Sequence, residues 1–170
     1  ANHIQWGITT EEIDHWVYEE PPRRGGIPAP LNYEGFPKSV CTSINDQVCH
    51  GIPSPDDELV EGDIVNVDCS TILNGYFSDS SRMFIIGETD PENEKLVKVA
   101  RECVQAGLDQ VKPWGLLGDV GAAGNALAEK NGYSVVREVG GPGVGIEVHE
   151  DPLVSYVTPK GTGLGIGARL

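Results

Sequence analysis

Two aspartates, Asp68 and Asp79, stand on either side of Asn74-Gly75 in the run 64–86. Asn-Gly between two apolar-rich runs is the strongest short hairpin signal and fits a type I′ turn. With Asn74 and Gly75 as the loop, Asp68 faces Ser81 and Asp79 faces Ser70 across the hairpin. Residues two apart share a face, so both carboxylates point the same way as diagonal neighbours. Like charges aimed at one spot repel unless a cation or a shared proton intervenes, and oxygen-rich pairs of this kind suit divalent metals. A blander reading stays open and is the commoner one: both carboxylates face water on the polar side of an edge hairpin. Ile64, Val65, Val67 and Ile72 argue against it, because they make the first strand largely buried.

Two histidines carry further chemistry. On the residues alone His50 reads first as a packed histidine near a strand end. Its neighbour Cys49 invites a cysteine–histidine nucleophile, but adjacent strand residues point to opposite faces and the pair is badly placed. His149-Glu150 lacks the second histidine of HExxH and is no zincin motif. Gly163-x-Gly165-x-x-Ala168 matches a loose dinucleotide fingerprint, but no phosphate-binding helix follows it.

Composition narrows the class. The chain has 170 residues, enough for one generous domain with its own core. Its net charge of −14 repels nucleic-acid phosphates and anionic membranes, and suits hard cations or the positive end of a peptide. No run approaches a membrane span and no basic-then-apolar leader opens the chain, which predicts a soluble, unsecreted protein. Cys41, Cys49, Cys69 and Cys103 form no CxxC pairs and each sits in an apolar run. That predicts buried thiols in a reducing, cytoplasmic setting.

The elements that must position these groups are legible in outline. Thr9 to Glu12 forms a capping box, Ile13, Trp16 and Val17 follow at helical spacing, and Pro21-Pro22 ends the helix. The Gly/Pro-rich stretch 24–38 is mostly irregular, although Tyr33 and Phe36 are costly to leave in solvent. Residues 39–45 are strand-like, and 64–73 and 76–86 form the hairpin. Asp90-Pro91 opens a helix whose stripe Leu96, Val97, Ala100, Cys103, Val104, Leu108 and Val111 runs to Pro113. A helix over 118–130 closes at Asn131-Gly132, a strand covers 133–139, a glycine-rich loop spans 140–145, and 146–157 is extended. The class is α+β.

Three segments carry a resemblance: GGIPAPLNYEGFPKSVCTSINDQVCHGIP, GDIVNVDCSTILNGYFSDSSRMFIIG and SVVREVGGPGVGIEVHEDP. Over 9–163 the chain resembles the methionine aminopeptidases, metal-dependent enzymes with the pita-bread fold. The resemblance implies a single catalytic domain over 1–170 with the first half of that fold complete and the second partial. It implies removal of N-terminal Met from nascent proteins, in the cytoplasm, with the ribosome as a further partner. Asp68 and Asp79 match two aspartate ligands of a site for two divalent ions (Co, Mn, Fe or Zn). His50 matches a histidine that contacts the substrate near its amino terminus. His149 matches the one that positions the scissile peptide and stabilises the tetrahedral intermediate. Tyr33 and Phe36 match aromatic positions around the methionine side chain, and Val148 occupies a further position there that is usually aromatic.

The chain departs from that pattern in two places. A histidine ligand of a GHGIG-like loop is replaced by Pro142, which offers no donor. Two glutamate ligands, one of them the proton-transferring group, belong to strands beyond Leu170, and Glu138, Glu147 and Glu150 sit in the wrong motifs to replace them. These departures predict weak or absent metal binding, negligible activity, and a sheet incomplete enough to favour a homodimer. The alternative is a non-catalytic peptide- or ribosome-associated binding protein descended from the enzyme.

Overall fold

The computed structural model describes residues 3–167; the last three residues, which include Ala168 of the dinucleotide-like fingerprint, lie outside the described residues. The chain divides into two compact units. One runs to Glu94 and takes in Val144–Val148; the other is Lys95–Gly143 with the chain from His149 onward. Among the described residues no helix is long and apolar enough to cross a membrane.

The first unit opens with α1 (Thr10–Arg23). The Thr9 side chain accepts from the Glu12 N–H, and Glu12 Oε2 accepts from the Thr9 N–H at 2.8 Å. Such a cap is worth about 1 kcal/mol. The proline pair does not end the helix where predicted, since α1 runs through both to Arg23. Each proline forfeits its donor but keeps its carbonyl. Those carbonyls receive the N–H groups of Arg24, Gly25 and Gly26 and close the last turn.

A four-stranded antiparallel sheet follows: β1 (Ile27–Pro28), β2 (Cys41–Ile44), β3 (Ile64–Leu73) and β4 (Tyr76–Ile85). The central strand β3 pairs with β1 and β2 along one edge and with β4 along the other. The stretch 24–38 is irregular, as its composition predicts, apart from β1 and a 3₁₀ turn at Tyr33–Gly35. Side chains alternate along β3, so Val65, Val67 and Cys69 face α1 while Asn66, Asp68 and Ser70 face away. The inner face carries the core, in which Ile13, Val40, Leu59, Val65 and Ile86 are at most 2% exposed.

The second unit holds most of α2 (Pro91–Leu108), then α3 (Leu117–Lys130) and a hairpin of β5 (Gly140–Gly143) and β6 (Glu150–Ser155). Three expectations fail here. The apolar stripe of α2 does not supply its packed face: Leu96, Val104 and Leu108 are 40%, 64% and 55% exposed, whereas Val99 and Gly107 are buried. The helices meet through small residues instead. A Cβ on Gly107 would lie 3.3 Å from Val120 Cγ1, and one on Gly124 3.2 Å from the Cys103 carbonyl. Close backbone approach there leaves the long aliphatics outside. Second, α2 stops at Leu108 rather than 111, as Gln110 and Val111 turn back onto the carbonyls of Gly107 and Leu108. Third, 133–139 is no strand, and the glycine-rich 140–143 pairs with 150–155 instead. A strand exists through its ladder, and β6 offers its ladder to β5. Residues 146–148 are likewise not a strand.

Candidate metal centre

The β3–β4 hairpin positions the two aspartates. Asn74 and Gly75 both have positive φ, 53° and 84°, the backbone that a type I′ turn requires. The register is as the spacing predicts: Asp68 opposite Ser81 and Ser70 opposite Asp79. A slip of one residue would turn both carboxylates into the core, so burial of Val65 and Val67 holds the register.

Asp68 is half-buried and Asp79 is exposed. Burial first, then repulsion from Asp79, then side-chain hydrogen bonding toward it push the Asp68 carboxyl from 3.8 up to about 6, while His50 pulls it down. A carboxyl of this kind is not simply solvated. It holds a proton or asks for a cation. Ser70 Oγ donates to Asp79 Oδ1 at 2.7 Å, and Ser81 Oγ donates to Asn66 Oδ1 at 2.9 Å.

Strand β2 brings a thiol to the same face, because Cys41 lies opposite Asp68. Burial and the charges of Asp68, Cys49, Asp79 and Cys69 push the Cys41 thiol up to about 12. It stays protonated at neutral pH and is no nucleophile. Cys69, on the core face, is pushed up to about 11 by burial and the two aspartates. Cys49 is exposed, against the expectation of four buried thiols.

His50 is exposed, so the packed-histidine reading fails, and Cys49-His50 belongs to no strand. The segment doubles back on β2: the Thr42 N–H donates to the Gly51 carbonyl at 2.9 Å and the Gly51 N–H to Ser43 Oγ at 3.2 Å. A Cβ on Gly51 would sit 2.0 Å from the Thr42 carbonyl oxygen, so only glycine fits beside His50. His50 itself has φ 55°. The fold-back carries His50, whose effect on the Asp68 carboxyl is to pull it down.

Tyr33 and Phe36 flank the 3₁₀ turn after β1, which is tied to β3 by the Ala29 N–H on the Ser70 carbonyl at 3.0 Å. Tyr33 is 38% exposed and Phe36 half-buried. His149 is exposed and belongs to the second unit, while the half-buried Val148 belongs to the first. Pro142 lies in β5 at the register shift between Gly141 and Gly143, where a residue without an N–H interrupts the ladder. The spacing had already set Ser70 opposite Asp79; its role as a donor went unread there. Cys41 beside Asp68 had no local signal.

Among the described residues no group of three or more His, Cys, Asp and Glu side chains comes together to hold a metal ion. The carboxylate oxygens of Asp68 and Asp79 are the donor type that suits a hard divalent cation, and these two residues would hold it.

This fold is that of a known family. The chain belongs to metallopeptidase family M24, whose model matches residues 1–168. Methionine aminopeptidase A of Synechocystis sp. is 46% identical over 163 residues, covering 96% of this chain and 64% of that protein. The crystal structure of methionine aminopeptidase from Rickettsia prowazekii superposes with a TM-score of 0.93 at 42% identity, covering 96% of this chain and 66% of that one. The structure from Thermotoga maritima gives 0.95 at 34% identity, covering 98% and 67%. The chain thus spans about two thirds of the length of these relatives. The fold is the α+β pita-bread fold expected from the resemblance, of which the chain carries about the first half.

Proposed function

We propose that this chain serves a methionine aminopeptidase, a single catalytic domain that removes N-terminal Met from nascent proteins in the cytoplasm, near the ribosome. The observation that carries the reading is the diagonal pair Asp68 and Asp79 on one face of the hairpin, close enough for Asp79 to raise the Asp68 carboxyl. In this reading the pair holds a divalent cation of the Co, Mn, Fe or Zn class. A cation bound there would supply Lewis acidity and a bound water of lowered pKa. Asp68 and Asp79 would hold that cation through their carboxylate oxygens. His50 receives the amino-terminal end of the substrate and His149 its scissile peptide. Tyr33 and Phe36 enclose the methionine side chain.

Pro142 favours a second reading. Where the resemblance places a ligand histidine, this residue has no side-chain donor. Cation affinity is then low and turnover slow, and the limit of that trend is a peptide-binding protein without catalysis. Association through exposed strand edges is part of the same proposal, with light-scattering mass as its measure.

Mn²⁺ titration followed by release from a Met-Ala-Ser peptide tests the function. Mn²⁺ should bind weakly and depend on Asp79, and the peptide should bind better with a free amino-terminal Met than with an acetylated one. Binding indifferent to both aspartates, or to the amino-terminal Met, overturns the proposal. Mn²⁺-dependent peptide binding with no Met released selects the second reading.

A further inference from the structure

The two aspartates are held differently. Asp79 lies on an exposed strand, where a carboxylate samples several rotamers and loses that freedom when it binds a cation. Ser70, directly opposite, is 8% exposed and donates to Asp79 Oδ1 at 2.7 Å. That is the length of a direct, well-formed O–H···O hydrogen bond. Ser81 stands in the equivalent place opposite Asp68 and turns its hydroxyl to Asn66 instead. Ser70 is itself fixed on both sides. The β4 ladder holds one edge, and the Ala29 N–H donates to its carbonyl at 3.0 Å on the other. A donor locked in the sheet thus grips a carboxylate that solvent would otherwise leave loose.

We infer that Ser70 is a positioning residue for the cation, its hydroxyl holding the Asp79 carboxylate in the orientation that meets Asp68. The inference rests on the proposed cation-binding role of the aspartate pair. Outer hydrogen bonds of this kind orient metal ligands, and their removal costs about 10- to 100-fold in affinity.

Mn²⁺ affinity of the full chain, read by electron paramagnetic resonance, tests it with Ser70→Thr, Ser70→Val, Ser70→Ala and Asp79→Asn. Threonine and valine differ at this site by a hydroxyl against a methyl at nearly equal volume, so their difference isolates the donor. Ser70→Val and Ser70→Ala should weaken Mn²⁺ at least tenfold. Ser70→Thr should stay within threefold of wild type, and the midpoint of urea unfolding in EDTA should separate threonine from valine far less than the Mn²⁺ affinity does. Equal affinities for Ser70→Thr and Ser70→Val, while Asp79→Asn abolishes binding, would overturn the positioning role and leave the cation site standing. Wild type binding no more Mn²⁺ than Asp79→Asn would overturn both.

Discussion

Replacing Asp68 by asparagine should make the metal-free protein more stable, and only above a defined pH. The carboxyl rises from 3.8 to about 6 in the folded state because it is buried and faces Asp79. The folded protein therefore holds a proton that the unfolded chain releases near pH 4. Between pH 4 and 6 the folded state binds more protons, so its stability falls as pH rises, and above about pH 6 the loss is complete. A shift of about two units corresponds to a ceiling of about 3 kcal/mol. Asp68 keeps some solvent contact and Asp79 is exposed, so screening reduces this to about 1–2 kcal/mol. The amide at this position carries no charge to repel Asp79 and has an N–H to offer it, as the protonated acid has its O–H. Urea unfolding in EDTA measures it. Asp68→Asn should match wild type at pH 3.5 and exceed it by about 1–2 kcal/mol at pH 7. Added Mn²⁺ should raise the wild-type midpoint and leave the variant where it was. A variant no more stable than wild type at pH 7, or one equally stabilised at both pH values, would refute the argument that the pair is strained by its own charge.

Gly51→Ala should destabilise by about 2 kcal/mol in urea, the cost of overpacking a tight backbone contact, because its Cβ would meet the Thr42 carbonyl at 2.0 Å. The same substitution should move the His50 imidazole, seen as changed ring chemical shifts by NMR at a fixed pH; unchanged shifts would show that the fold-back does not hold His50. Iodoacetamide at pH 8 should label Cys49 in minutes and spare Cys41 until the chain unfolds, since one is exposed and the other buried with its thiol pushed up to about 12. Equal labelling of both, followed by peptide mass spectrometry, would contradict the burial of Cys41.

What could be read from sequence was local. The capping box at Thr9, the Asn74-Gly75 turn and the register it imposes each depend on residues within a few positions of one another. That local chemistry was enough to put Asp68 and Asp79 on one face. It was enough, too, for the resemblance to metallopeptidases, which the family match bears out.

Tertiary structure decided whatever needed a partner distant in sequence. Cys41 stands beside Asp68 because β2 joins β3, and the segment that carries His50 closes on β2 because Gly51 leaves room for the Thr42 carbonyl. Residues 133–139 have the side chains of a strand and lack the ladder, whereas glycines 140, 141 and 143 pair with β6 despite poor intrinsic preference. The stripe on α2 had helical period, but period names a face and not its neighbour; the helix packs by Val99 and Gly107 and leaves Leu96, Val104 and Leu108 exposed. Turn and cap chemistry are satisfied inside one stretch of chain. Ladders and buried faces are satisfied by residues elsewhere, and so they form where the rest of the fold supplies those residues.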